Sequence, residues 1–428
     1  MLDDEIMPHE SCAEFLLSWD NLNDIRHTHG DAFYLLNLNR VKSNYTHFLD
    51  GFKRHYSNTN IAYSYKTNYL PSLCRTVDRL GGLGEVVSRM EYELAVRIGV
   101  DPKNIIFNGP YKTQADIAQA AKSGSVVNVD SWYELDLLEV ISNNHVGSPM
   151  RIGIRCNIPF TGQNPSRFGF DTTTDEIERV VKRLRRIPHC IIVGFHCHAL
   201  APGRTPENYA KIAKQLIKMS KEVLEPDELE FINLGGGFFS VMPAEFKKQF
   251  PYTIPSFQQY ADAIGPLFAE AFPDNTCPQL ILEPGLAVVA DAMQFVCRVL
   301  EKKEFGGHKF VSVSASVYNI KPTKSDRNLP VQIVHRVDAH NQEANSTSSS
   351  DIVGYTCMED DILYRQYTGR VDQEDYVVFN NVGAYTLVLK PPFILPSPPV
   401  LSYESDPASL EIARRQETLE DVFVTYTF

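Results

Sequence analysis

The chain has no run of about 18 apolar residues, so no membrane helix is expected. It has no Cys-x-x-Cys pair. Its cysteines, Cys12, Cys74, Cys156, Cys190, Cys197, Cys277, Cys297 and Cys357, are scattered over 428 residues. That scatter argues against a disulfide framework or a zinc module and fits a reduced, cytoplasmic protein. There is no basic surplus either. With 41 Lys and Arg against 53 Asp and Glu, the net charge is −12. A broad basic surface for nucleic acid is thereby excluded, while a local basic pocket for a phosphate is not. The start, Met1-Leu2-Asp3-Asp4-Glu5, lacks the basic opening and apolar stretch of a secretory signal. No internal repeat is found. What remains is ordinary globular composition, 43% hydrophobic and 22% charged. It supports a packed core at a length of two or three domains.

From Ile61 to Glu283, short apolar runs alternate with longer amphipathic stretches. The apolar runs are Ile61–Lys66, Leu83–Val87, Asn104–Phe107, Val126–Val129, Ile152–Asn157, Ile191–His198, Leu229–Leu234 and Gln279–Glu283. The stretches between them carry helical spacing, as in Glu91-Leu94-Ala95-Ile98 and Ile117-Ala118-Ala121. Strands alternating with helices in this way predict a (β/α)8 barrel of α/β class, with a doubly wound sheet as the alternative. A further strand, Ala32–Leu38, precedes them. After residue 286 the pattern changes to strands without long intervening helices, among them Lys309–Val313, Val331–Val337 and Asp375–Asn380. A polar tract, Asn345 to Ser350, reads as a surface loop.

In such a barrel the active site gathers at the C-terminal ends of the strands. Lys66 ends the first apolar run, where it reads either as a Schiff-base nucleophile or as a lysine reaching out to solvent. Gly235-Gly236-Gly237-Phe238 follows the seventh run. It reads as a phosphate cradle of backbone N–H groups or as a tight turn. His196 and His198 close the sixth run. Zinc would need further ligands that the spacing does not supply, so His198 reads as lying flat on an aromatic cofactor or as a satisfied strand-end histidine. Glu283, before Pro284-Gly285, needs a cationic partner if buried, either a protonated pyridine nitrogen or Arg155.

Six motifs in order carry a resemblance: Tyr65-Lys66, His196-Cys197-His198, Gly235-Gly236-Gly237-Phe238, Glu283-Pro284-Gly285, Gly354-Tyr355-Thr356-Cys357 and Gly383-Ala384-Tyr385-Thr386. From about residue 30 to residue 395 the chain resembles the fold-type III pyridoxal-phosphate decarboxylases, which include the ornithine and diaminopimelate decarboxylases. The resemblance implies an alanine-racemase-like (β/α)8 barrel over residues 39–285. It implies a mostly β second domain, sandwich- or barrel-like, from residues 1–38 and 286–428. It implies pyridoxal 5'-phosphate as cofactor and a small amino-acid substrate. Lys66 is then the Schiff-base lysine, His198 the residue stacked on the ring, and Glu283 the partner of the ring nitrogen. Gly235, Gly236, Gly237 and Tyr385 become phosphate ligands, with Glu85 and Arg155 as polar support. Cys357 becomes the acid that reprotonates Cα through a quinonoid route, supplied across a head-to-tail homodimer.

A racemase of the same fold usually faces the ring nitrogen with arginine, so Glu283 favours decarboxylation over racemisation. An inactive regulatory relative is the third reading. Three departures bear on the substrate. Leu286 stands where the family has arginine, Ala201 where it has a small hydroxyl residue, and Met358 where enzymes gripping a distal ammonium have an acid. Leu286 and Ala199-Leu200 resemble the carboxynorspermidine decarboxylases. The segment from Gly383 to Ile394 resembles decarboxylases of siderophore and peptide-antibiotic pathways. The expected substrate is accordingly a modified or conjugated amino acid.

Overall fold

The apolar runs are bracketed by residues that start and stop helices, and the chain folds accordingly. The computed structural model describes residues 17–164, 166–199, 202–274, 277–336, 349–404 and 409–428. The acidic start, Cys12, Leu200, Ala201 and residues 345–348 of the polar tract lie outside the described residues.

After β1 (Ala32–Asn37) come β2 (Thr59–Ser64), β3 (Leu83–Val86), β4 (Ile105–Phe107), β5 (Val126–Val129) and β6 (Met150–Asn157). The two-residue β7 (Phe170–Asp171) sits beside β6, followed by β8 (Cys190–His196), β9 (Phe231–Asn233) and β10 (Gln279–Leu282). Neighbours pair in parallel in the order β2-β3-β4-β5-β6-β8-β9-β10, and β10 returns to β2. The sheet is therefore closed, which decides for the barrel against the doubly wound sheet. Intervening helices begin on the residues that cap them best. Ser88 accepts the N–H of Glu91 ahead of helix Arg89–Arg97, and Thr113 and Asp116 form a reciprocal box ahead of Gln114–Lys122. Thr205 precedes Pro206 at the start of the helix to Val223.

One strand end differs from expectation. β2 stops at Ser64, and Lys66 sits in a short 3-10 turn, Tyr65–Thr67. The β-region dihedrals end there because the chain must turn over the barrel mouth toward helix Pro71–Arg79.

The barrel interior is layered. Ala62, Ile106, Val126, Val193, Phe231 and Ile281 form a buried apolar cluster, with Leu83 packed against it. Side chains two residues apart on a strand share a face. One step up from that floor stand Ser64, Glu85, Asn108, Asn128, Asn233 and Glu283, all buried. An apolar floor thus carries a polar tier.

The barrel unit comprises Val41–Val241 and Tyr252–Val288. The second unit holds the described parts of Met1–Arg40, Met242–Pro251 and Val289–Phe428. Its strands are β1 with β11 (Met293–Phe305), β12 (His308–Val313), β13 (Val331–Val334), β14 (Ser350–Val353), β15 (Ile362–Tyr367), β16 (Tyr376–Phe379), β17 (Val400–Tyr403) and β18 (Glu411–Arg414). They form one sheet, in which β1 lies antiparallel to β11 and parallel to β17. Helix Trp19–His29 covers it through Leu22 and Ile25, which pack with Phe33, Leu35, Val296, Val378 and Leu401.

Two outcomes follow from the barrel's packing. A Cβ at Gly194 would collide with the Phe231 carbonyl oxygen on the neighbouring strand. Gly194→Ala is expected to lower stability by about 1–3 kcal/mol, read as a shift of the chemical denaturation midpoint. Glu91, buried at the start of its helix, accepts the N–H of Val87 at 2.8 Å. Burial, reinforced by nearby Glu85, pushes its pKa from 4.5 up to about 7. The folded state therefore holds this proton more tightly than the unfolded chain. Its contribution is full below pH 4.5 and is lost as pH rises through about 7. Between pH 5 and 8 the native apoprotein should lose on the order of 2 kcal/mol more than Glu91→Gln in parallel denaturation curves. Equal pH profiles would contradict this.

Candidate active site

Five of the expected residues meet at the barrel mouth: Lys66, Glu85, Arg155, His198 and Glu283. They line a cavity of about 240 Å³ together with Asn108, Phe168 and His196. Lys66 Nζ lies 2.6 Å from Glu85 Oε2, and the Ser64 hydroxyl donates to the same oxygen at 2.6 Å. Glu85 Oε1 accepts from Asn108 Nδ2 at 3.0 Å.

That same amide nitrogen donates to Glu283 Oε1 at 2.7 Å, where Asn233 Nδ2 also donates at 2.7 Å. Asn108 Oδ1 in turn accepts from Asn128 Nδ2 at 2.7 Å. The polar tier is thus one connected network. Two side-chain oxygens of the tier, Asn128 Oδ1 and Glu283 Oε2, have no hydrogen-bond partner among the described residues. The His196 ring approaches Glu283 Oε2 to 3.4 Å and His198 to 4.0 Å. Burial opposes the charge on Glu283. The His196 ring and the Lys66 ammonium more than reverse that effect and hold its carboxyl below the usual carboxylate range.

His198 stands beyond the end of β8, partly open to the cavity. Its Nδ1 accepts the N–H of Gly236 at 3.1 Å, which leaves the ring neutral. Burial and the nearby Lys66 charge push its pKa down to about 3, in agreement with that bond. Gly236 has no room for a side chain, because a Cβ would meet the Glu283 carbonyl oxygen. The Gly235 N–H donates to Asn233 Oδ1 at 2.8 Å. Two of the glycine amides expected to converge on a phosphate are therefore bonded within the chain in this arrangement.

Arg155, read as a possible partner of Glu283, is committed elsewhere. It pairs with Asp130 at 2.5 Å and lies 4.6 Å from the centre of the Phe168 ring. Among the described residues His196 and His198 belong to no group that could hold a metal ion. Leu286, in the place of an arginine, opens the short helix Leu286–Val289.

Cys357 and Tyr385 lie in the β unit and are described there. Cys357 is exposed, on a loop between β14 and β15. The loop folds around Asp361, whose buried carboxylate accepts the N–H groups of Thr356 at 2.9 Å and Val317 at 2.6 Å. Tyr385 adopts a left-handed backbone, φ 58°.

Sequence reasoning missed Asn108, Asn128, Asn233 and Asp130. The signal was available: each of the three asparagines stands two residues after a floor residue, Ile106, Val126 or Phe231. The fit to pyridoxal phosphate rests on the donor set. A primary amine is held by one carboxylate, a second buried carboxylate keeps one oxygen uncommitted, and a neutral imidazole lies beside it.

The comparisons with known proteins agree. The family profile described as "Pyridoxal-dependent decarboxylase, pyridoxal binding domain" matches residues 39–290. Diaminopimelate decarboxylase of Aquifex aeolicus is 25% identical over 386 residues, covering 87% of this chain and 86% of that protein. The Methanocaldococcus jannaschii diaminopimelate decarboxylase is 27% identical over 372 residues, covering 83% and 82%. The crystal structure of the M. jannaschii enzyme with L-lysine aligns with TM-score 0.81 and 23% identity over 95% of this chain and 94% of that one. The Paramecium bursaria Chlorella virus arginine decarboxylase aligns with TM-score 0.72 and 22% identity over 90% and 100%. The two structures share the fold. The profile spans more than half of the residues, and the chain therefore belongs to the pyridoxal-phosphate-dependent decarboxylases of the ornithine, arginine and diaminopimelate type.

Proposed function

We propose that the protein removes the α-carboxylate of a free amino acid whose far end is polar or charged, of the diaminopimelate kind. The observation that carries this reading is the tier joining Lys66, Glu85, Asn108 and Glu283, which holds an amine and an uncommitted carboxylate oxygen over one cavity. The curated relatives favour a free amino acid over the modified or conjugated one expected from Leu286 and Met358. A larger cavity of about 890 Å³ shares Arg155, Phe168 and His198 with the first. Its remaining wall includes Asn157, Gln163, Asn164, Ser166 and Asp171, a lining suited to a polar far end.

Pyridoxal phosphate, when bound, supplies a sink for the electron pair left at Cα as carbon dioxide departs. The chain supplies position and protons. Glu85 keeps the Lys66 amine at the mouth and takes up its charge. Glu283, ionised and fixed by two asparagines at Oε1, offers Oε2 to hold a proton on the ring nitrogen. A carboxylate there, in place of the arginine usual in racemases, supports decarboxylation. His198, fixed by the Gly236 N–H, offers a flat neutral face. We assign the proton returned to Cα to Cys357, carried by a second copy of the chain in a head-to-tail dimer. Its exposure and its loop, held at Asp361, are consistent with that role.

Carbon dioxide release from a panel of free diamino acids, carboxypolyamines and citrate-conjugated amino acids tests the substrate. Release from a free amino acid with a polar far end is expected, and release from conjugates alone would overturn the reading. Lys66→Ala should abolish both the release and the visible absorbance of the bound cofactor. Cys357→Ala should slow turnover about 100-fold while the cofactor stays bound with native affinity. An unchanged rate would remove the role given to Cys357.

A further inference from the structure

Asn108 is a neutral residue at the centre of a charged site. Its side-chain nitrogen has two hydrogens, and both are used, at 3.0 Å on Glu85 Oε1 and 2.7 Å on Glu283 Oε1. Its side-chain oxygen accepts from Asn128 at 2.7 Å, and its backbone N–H is tied to the Val86 carbonyl at 2.8 Å. The amide therefore has one orientation. Flipping it would set oxygen against two carboxylates and nitrogen against nitrogen. Gly153 leaves the space that Asn128 occupies, because a Cβ there would collide with Asn128 Oδ1.

We propose that Asn108 is the positioning residue that sets how both carboxylates face the cofactor. By locking Oε1 of each, it turns Oε2 of Glu85 toward Lys66 and Oε2 of Glu283 toward the place of the ring nitrogen. This rests on the roles assigned to Lys66 and Glu283. The fork also explains why a carboxamide is needed. A hydroxyl donates one hydrogen, and a carboxylate none. A cation would neutralise the two acids and weaken Glu85 as the counter-charge of Lys66. Because Asn108 is neutral, it joins the two acids through a single nitrogen without adding a charge between them. Neither acid depends on Asn108 for its only anchor: Ser64 also holds Glu85, and Asn233 also holds Glu283. Its removal therefore changes direction and charge balance more than fold.

The test uses purified native protein, Asn108→Asp and Asn108→Ser, each as apoprotein and with pyridoxal phosphate. The readouts are the pH midpoint of the visible absorbance of lysine-bound cofactor, the dissociation constant for pyridoxal phosphate, and the melting temperature of the apoprotein. The charged and titratable groups around this nitrogen are Lys66, Glu85, Glu283, His196, His198 and Arg155. Asn108→Asp adds a further carboxylate, which favours the protonated form, so its midpoint should rise by about one pH unit or more. Asn108→Ser leaves one acid oxygen without its donor, and the dissociation constant should rise about tenfold. If Asn108→Asp does not fold, the affinity of Asn108→Ser decides alone. Native midpoint and native affinity in the variants, whatever their melting temperatures, would overturn the proposal and leave Asn108 a packing residue. Visible absorbance that survives in Lys66→Ala would instead overturn the reading of Lys66, and this proposal with it.

Discussion

In a closed parallel barrel every second residue of each strand points into a space with little room for water. The structure depends on what that constraint does to polar side chains at the C-terminal end. Two residues above the apolar floor, six strands deliver Ser64, Glu85, Asn108, Asn128, Asn233 and Glu283 into the interior. A buried polar group left without a partner costs about 1–3 kcal/mol, and more when charged. The tier has to satisfy itself, and it does so through carboxamides, which both donate and accept. What it leaves over among the described residues is the carboxamide oxygen of Asn128 and one oxygen of Glu283, and of these two residues Glu283 lines the cavity.

The barrel was legible because alternation of strand and helix is a strong pattern and each strand run is short and apolar. All eight runs recur as strands, with ends shifted by a few residues. Lys66 shows where such shifts matter: read as a strand residue, it belongs to a turn, and its Nζ reaches Glu85 from there. Lys66, Glu85, His198 and Glu283 could be named because a charged or titratable residue stands out beside an apolar strand. Asn108, Asn128 and Asn233 could not be picked by type, since asparagine at a strand end is an ordinary turn residue. Only the two-residue step above the floor distinguishes them, and that floor becomes visible once the strands are paired. Asp361 is the opposite case. In the sequence it is the last of three consecutive acids, Glu359 to Asp361, that follow Cys357 and Met358. In the fold its carboxylate is buried beneath the Thr356 and Val317 amides, while neighbouring Asp360 pairs with Lys324 at 2.6 Å.

The charges around the tier are arranged as closed pairs, and this bears on what they contribute. Lys112 and Glu134 are both fully buried and 2.9 Å apart. The other oxygen of Glu134 accepts the Asp130 N–H at 2.7 Å, and Asp130 grips Arg155 at the cavity wall. Buried ion pairs of this kind add little to stability, because desolvation offsets most of the attraction. Replacing Lys112 and Glu134 together by apolar residues of matching volume could leave stability almost unchanged. It would, however, remove the bond that fixes the Asp130 backbone, and with it the anchor of the Arg155 guanidinium above Phe168. The same reasoning covers the pair of Lys66 and Glu85, whose worth lies in holding an amine at one point rather than in free energy of folding. Lys66 and Arg155, the two cations lining the smaller cavity, are thus each paired within the chain. The amides of Gly235 and Gly236, expected to hold a phosphate, are bonded to Asn233 and His198, so the loop that carries them also sets the placement of the His198 ring.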